Sequence, residues 1–409
     1  MRGGDSAGLR AYNERLIVSV LLREGPLSKA DIARATGLSG QAASVIVNSL
    51  VEEGLLLKRD KVRGHVGQPS TPIAPNPEGA LSLGVKIGRR SVEAMVVNLV
   101  GDVVDEASER HDAPFPDATM ARAGRLACGL LDRLPAVASG TGYGRDRLVG
   151  AGIAMPDGLE GWAEELRLPP AELAGWAGMD VEGRMAAATG LPVTRYNDAT
   201  AACAAEMIAG HAITSSSALY IYLGTFVGGG VVLDGRLFPG PQRNAGAIGS
   251  MPVATAARRD GRGQLINTAS VIDLERLLAE GDVAPGQALA GNAPDAAVIY
   301  ETWARPAAEA LARSIAAALA VIDFEVVVID GMLPPAWRDD LIARIADARG
   351  AFDLTGLAPA DLRPGTIGPR ARVLGAALLP LQARFSPDTE LLVRGARTGD
   401  GTAATRELA

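Results

Sequence analysis

One strand-turn-strand design occurs twice in this chain. Leu81, Leu83, Val85 and Ile87 alternate with smaller or polar residues, Gly88-Arg89-Arg90 turns, and Val92, Ala94 and Val96 alternate back to a turn at Gly101-Asp102. About 137 residues later the order returns: Leu219, Ile221 and Leu223, a turn around Gly224-Thr225, a strand over 231–233 and a turn at Asp234-Gly235. Period-two alternation is the mark of a strand, and a duplicated unit predicts two similar α/β lobes with a cleft between them. Helical stretches over 119–134, 180–189, 199–209 and 304–322, with short apolar strands over 148–154 and 325–329, predict mainly parallel sheets.

Length and composition narrow the function classes. At 409 residues, 48% hydrophobic and 21% charged, the chain has room for two or three folding units and lies far from the composition of a disordered one. Cys128 and Cys203 stand alone, without paired spacing, so neither a disulfide framework nor a Cys-rich zinc site is expected, and a reducing cytoplasm fits. The run Leu16 to Leu22 is bracketed by Glu14, Arg15, Arg23 and Glu24 with no cleavage pattern after it, which argues against an export signal. Residues 212–233 carry no charge, but their serines, glycines and alternating order predict a buried hairpin rather than a membrane span. Net charge is −7, yet residues 1–75 hold ten Lys/Arg against seven Asp/Glu, a mildly basic head on an acidic body.

The head reads as three short helices within 11–57. Leu16, Ile17, Val20 and Leu21 form one stripe ended by Gly25-Pro26. Ser28 and Asp31 form a capping box for a helix that stops at Gly37, and Ser39 caps a third that closes at Gly54. The spacer Gly37-Leu38-Ser39 is the tight turn of a helix-turn-helix. Ala42, Ile46 and Leu50 occupy one face of the third helix, and Gln41, Ser44 and Asn48 nearly the opposite one, polar and suited to base edges in a major groove. After Leu55-Leu56-Leu57 come Lys58, Arg59, Lys61 and Arg63 before Gly64, a wing whose cations reach phosphate or the minor groove. The bland alternative is an ordinary three-helix subdomain with a solvated charged loop. A Pro-rich stretch, 68–77, resists helix and is expected to separate this head from the body.

A winged helix-turn-helix joined to a duplicated body carrying VTRYNDATAACAAE, YLGTFVGGGVVLDGRLFPGPQRNAGAIG and VIDFEVVVIDGM resembles the ROK family of bacterial repressors and sugar kinases, over roughly residues 10–385. The Asn197-Asp198 pair, the glycine hairpin with its AGxIG tail and GPRARVLGAALL anchor the resemblance. It implies an α/β fold: an N-terminal winged helix-turn-helix (1–75) plus a two-lobed, actin-like ATPase body with a sugar site in its cleft and, in kinases, ATP across it. The first lobe is expected over 76–197, joined by a C-terminal helix near 370–387, the second over 198–369, and a loose tail over 388–409. Fold alone does not settle function.

Within that resemblance Asp198 matches the aspartate that deprotonates the sugar hydroxyl in ROK kinases, and Asn197 its sugar-binding neighbour. The same pair reads equally as a cap for the helix over 199–209. Where the kinases carry an aspartate and a Gly-Gly-Thr turn, this chain has Lys86-Ile87-Gly88-Arg89-Arg90. That replacement removes a Mg²⁺ partner and obstructs backbone approach to phosphate, although arginines attract anions. Phe226 stands where many relatives have glycine. A sugar-binding glutamate and a sugar- and zinc-contacting histidine of the family correspond to Ala247 and Ser250, a further glutamate to Ile266, and the cysteines of its zinc loop fall near 257–264, which holds none. An unpaired buried hydroxyl costs about 1–3 kcal/mol, so ordinary glucose is expected to bind weakly. No metal or cofactor is expected, since His65, His111 and His211 are scattered and read as surface or wing residues.

The sequence therefore predicts a cytoplasmic transcriptional regulator, a repressor binding a double-stranded operator as a homodimer or higher homo-oligomer, without membrane attachment or kinase activity. Ser39, Gln41, Ser44, Asn48, Lys58, Arg59, Lys61 and Arg63 are its DNA-contacting candidates. Asn197, Asp198, Ala247, Ser250 and Ile266 are its candidates for a sugar-like effector. Two alternatives stay open: a sugar kinase using Asp198 that retains a DNA-binding head, and an effector-independent repressor with a decayed pocket.

Overall fold

A computed structural model describes residues 6–60, 71–135, 142–253 and 263–387. Three helices open the chain: α1 (Ser6–Glu24), α2 (Lys29–Thr36) and α3 (Gly40–Glu52). The Ser28 hydroxyl accepts from the Asp31 amide at 3.2 Å and donates to its carboxylate at 2.6 Å, and Gly37 ends α2 in the left-handed conformation at φ 70°. Ser39 caps α3 by accepting from the Ala42 amide. Strand β1 (Leu56–Lys58) pairs antiparallel with β2 (Ile73–Pro75), and Ile73 also bridges to Leu27.

The Pro-rich stretch thus contains the buried return strand of the wing rather than a plain spacer. A proline is tolerated there because Pro75 ends β2 two residues past the Leu27 bridge, where the edge away from β1 asks no ladder bond of it. Ile17, Val18, Leu21, Ile46, Val47, Leu50 and Ile73 share one apolar cluster with Met95, Val97, Leu378, Leu381 and Phe385 of the body, so head and body are packed together.

The body holds two five-stranded sheets of matching topology. The first comprises β3 (Leu81–Ile87), β4 (Ser91–Asn98), β5 (Val103–Arg110), β6 (Leu148–Met155) and β7 (Val193–Asn197), ordered β5-β4-β3-β6-β7. The second comprises β8 (Ala218–Leu223), β9 (Val227–Leu233), β10 (Arg236–Leu237), β11 (Val326–Gly331) and β12 (Asp361–Pro364), ordered β10-β9-β8-β11-β12. In each, an antiparallel meander is extended by two parallel strands, so the sheets are mixed rather than mainly parallel. The chargeless stretch over 212–233 is the β8–β9 hairpin, with Tyr220, Ile221 and Val232 fully buried. Among the described residues no helix is long and apolar enough to cross a membrane, and both cysteines are free thiols.

The longer body helices are α4 (Pro116–Arg133), α5 (Val181–Thr189), α6 (Asp198–Ala209), α7 (Val271–Glu280), α8 (Ala297–Leu319), α9 (Pro335–Arg349) and α10 (Ala371–Phe385). Helices α6 and α10 cross between the sheets, packing through alanines such as Ala201, Ala204 and Ala376. Their approach is close enough that a Cβ on Gly375 would strike the Ala201 backbone oxygen, and one on Gly152 that of Ala376. Residues 388–409, expected as a tail, lie outside the described residues.

Candidate functional site: the recognition helix and the interlobe cleft

On α3 the buried side is Ala43, Ile46, Val47 and Leu50. The open side carries Gln41, Val45 and Asn48, with Ser44 half-buried beside them. Ala42, expected on the inward face, is only half-buried, and Val45, one i, i+4 step from Gln41, is 60% exposed. Asn48 accepts a 2.7 Å hydrogen bond from Lys29, which brings a cation from α2 to the same face. Ser39 is exposed at the start of α3, and Lys58 and Arg59 are exposed at the end of β1. Lys61 and Arg63 lie outside the described residues.

The second constellation lies between the lobes. Asn197, Asp198, Ala247, Ser250 and Ile266, drawn from three separate segments, line one cavity of about 210 Å³. Asn197 is the N-cap of α6: its Oδ1 accepts from the Ala199 and Thr200 amides at 3.0 and 3.3 Å, while its Nδ2 donates to Asp157. The cap role therefore belongs to Asn197 and leaves Asp198 free for another partner. That partner is Arg372 on α10, which donates to Asp198 Oδ2 at 3.2 Å and lies over the Tyr222 ring. Burial opposes the Arg372 charge, yet Tyr222, Asp198 and Glu93 outweigh it and hold the guanidinium above its usual range.

Lys86, Arg89 and Arg90 are also accounted for. Buried Lys86 donates to Glu93 and Ser91 at 2.8 and 2.9 Å. Burial, and then Arg372, push its ammonium down to about 8 against the pull of Glu93. Arg89 and Arg90, on the turn after β3, both reach across the cleft to Glu275 on α7, and Arg89 also donates to Thr225. The lobes meet a second time where Trp162 and Phe226 pack edge-to-face, with centroids 4.6 Å apart. Phe226 is thus half of an aromatic contact between lobes. Arg372, Glu275, Trp162 and Asp157 were missed in the sequence because each acts through a partner far along the chain.

Among the described residues no group of three or more His, Cys, Asp or Glu is placed to hold a metal. His211 is exposed, but His111 departs from the surface reading: it is half-buried, and its two ring nitrogens are buried without hydrogen-bond partners. Burial pushes its imidazole below the ordinary value, toward the neutral form. His65 lies outside the described residues.

A winged helix-turn-helix packed onto a two-lobed, duplicated α/β body with a pocket between the lobes is the class of protein defined here. Residues 82–383 match the ROK family and residues 12–64 the MarR family. The chain belongs to the ROK family. It is 27% identical to the transcriptional regulator Mb0495 of Mycobacterium bovis, over 88% of this chain and 83% of that one. It is 23% identical to the xylose repressor of Bacillus spizizenii, over 61% of this chain and 62% of the repressor. A solved ROK family transcriptional regulator, a homologue of the E. coli MLC protein, shares the fold at a TM-score of 0.67 and 20% identity, covering 96% of this chain and all of that one.

Proposed function

We propose that this chain is a DNA-binding transcriptional repressor whose cleft binds a sugar-like effector and no longer transfers phosphoryl groups. The observation that carries this reading is the open face of α3, where Gln41, Val45 and Asn48 stand outward from a helix fixed by its buried side. In a homodimer two such helices would enter successive major grooves of a near-palindromic operator. Lys58 and Arg59, together with Lys61 and Arg63, would hold phosphate or the minor groove. It would act in the cytoplasm, where its DNA lies.

Against catalysis stand the ion pair that occupies Asp198 and the guanidinium side chains on the turn after β3. A base must reach a substrate proton, and a phosphate cradle must offer backbone amides at close approach. Helix α10 gives a route from cleft to head, with Arg372 at its start contacting Asp198, and Leu378, Leu381 and Phe385 in the cluster shared with α1. An effector shifts the head only through different affinities for two lobe arrangements.

The test is footprinting of the purified chain on its own genomic DNA, alongside ATP turnover over a sugar panel. Protection of discrete sites that loses sequence preference in Gln41→Ala is the expected result. Sugar phosphorylation abolished by Asp198→Asn would overturn the reading.

A further inference from the structure

Next to the cavity of Asn197 and Asp198 lies a second, of about 410 Å³, and Arg89, Thr225 and Arg372 line both. The second cavity gathers Lys86, Arg89, Arg90, Arg110 and Arg372. Three carboxylates answer these cations: Glu93 pairs with Lys86, Asp198 with Arg372, and Glu275 serves Arg89 and Arg90 together. Arg110 is exposed and forms no ion pair among the described residues. Two positive charges are thus left uncompensated in one chamber.

The buried Arg372 is also under-satisfied. Its Nη1 bonds Asp198, its Nη2 has only the Met332 sulfur at 3.9 Å, and its Nε has no partner. A guanidinium offers five N–H donors, and a buried one keeps its place only when acceptors meet them. The neighbouring cavity presents Ala247, Ser250 and Ile266, none of which carries a negative charge. Its two acids are already engaged, Asp157 by Arg195 and Asn197, and Asp198 by Arg372. The cleft as a whole is rich in donors and short of free acceptors, the complement of a ligand rich in acceptors.

We propose that the cleft takes a polyhydroxylated ligand bearing an oxyanion, carboxylate or phosphate, with the oxyanion held by the arginines of the second chamber and the hydroxyls toward Asn197 and Asp198. This rests on the reading of the cleft as an effector site. Arg90 and Arg110, the more exposed cations, meet the oxyanion first; Arg372 supplies donors behind them. Planar guanidinium forks match both carboxylate and phosphate geometry.

Titration calorimetry on the full chain tests this with matched probes: glucose, gluconate and glucose 6-phosphate, then xylose and xylonate. An anionic member is expected to bind at least about tenfold tighter than its neutral counterpart, with an affinity that falls as salt rises. The Arg90→Gln/Arg110→Gln variant should lose that preference while keeping the wild-type far-ultraviolet circular dichroism and a single cooperative urea transition, which check its fold. The carboxylate and phosphate arms tell which oxyanion is preferred. Neutral probes binding as tightly as anionic ones would overturn the oxyanion and leave the effector cleft standing. Anion binding that survives in the double variant would place the site elsewhere and overturn the proposal. No binding by any probe at millimolar concentration would overturn the effector cleft itself, and this proposal with it.

Discussion

Glu275 holds two arginines of the opposite lobe, and the two are unequally placed. The Arg89 side chain is 10% exposed and that of Arg90 42%, while Glu275 is 5% exposed. Breaking a buried ion pair by removing one partner costs about 3–5 kcal/mol, because the other charge is left uncompensated in a poor solvent for it. A solvent-exposed pair contributes about 0–1 kcal/mol. Glu275→Gln keeps the shape and removes the charge, so it should destabilise the lobe–lobe arrangement by about 3–4 kcal/mol. Arg89→Gln, which leaves Glu275 with its more exposed partner, should cost about 2–3 kcal/mol, and Arg90→Gln less than about 1 kcal/mol. Replacing the inner pair together, as Arg89→Met/Glu275→Leu, should recover most of the loss, since neither buried charge then remains unpaired. Urea unfolding of the four variants reads these differences as midpoint shifts at constant slope. Equal, small losses for Arg89→Gln and Arg90→Gln would refute the reasoning, because they would mean that water screens both arms of the clasp alike.

Glu206, fully buried at the end of α6, accepts from the amides of His211, Ala212, Thr366 and Ile367 and from the Thr366 hydroxyl. Glu206→Ala should lower stability by at least about 3 kcal/mol in urea, since several buried donors lose their acceptor at once. Asn197→Ala should cost about 1 kcal/mol through the lost cap of α6, visible in the same measurement. Lys86 provides the pH test. Its ammonium titrates near 8 in the folded chain instead of its ordinary 10.5, so the unfolded chain binds more protons across that window. Stability should therefore rise with pH between those values, by about 3 kcal/mol in total relative to Lys86→Met, and level off above. A pH-independent difference between the two proteins would show that Lys86 titrates normally.

The outward residues of α3 and the residues lining the cleft sit on elements of different legibility. Local rules place the elements: Ser28, Gly37 and Ser39 delimit the head helices by capping, and period-two alternation marks β3, β4 and β8, because both depend on residues within a few positions of one another. The gathering of Asn197, Asp198, Ala247, Ser250 and Ile266 was legible through the family resemblance, which supplies spatial neighbours that no spacing in one chain reveals. What tertiary structure alone decided are the partners. The sequence put arginines on a turn; the fold set Glu275, 185 positions from Arg90, opposite them. It put an aspartate at a helix start; the fold set Arg372, 174 positions away, against it. It read a proline-rich spacer, and the fold made part of that stretch a strand, because β1 and Leu27 offered its backbone partners. Charge pairing and close packing act through space and carry no periodic signature along the chain, so they appear only once the two lobes have closed on each other.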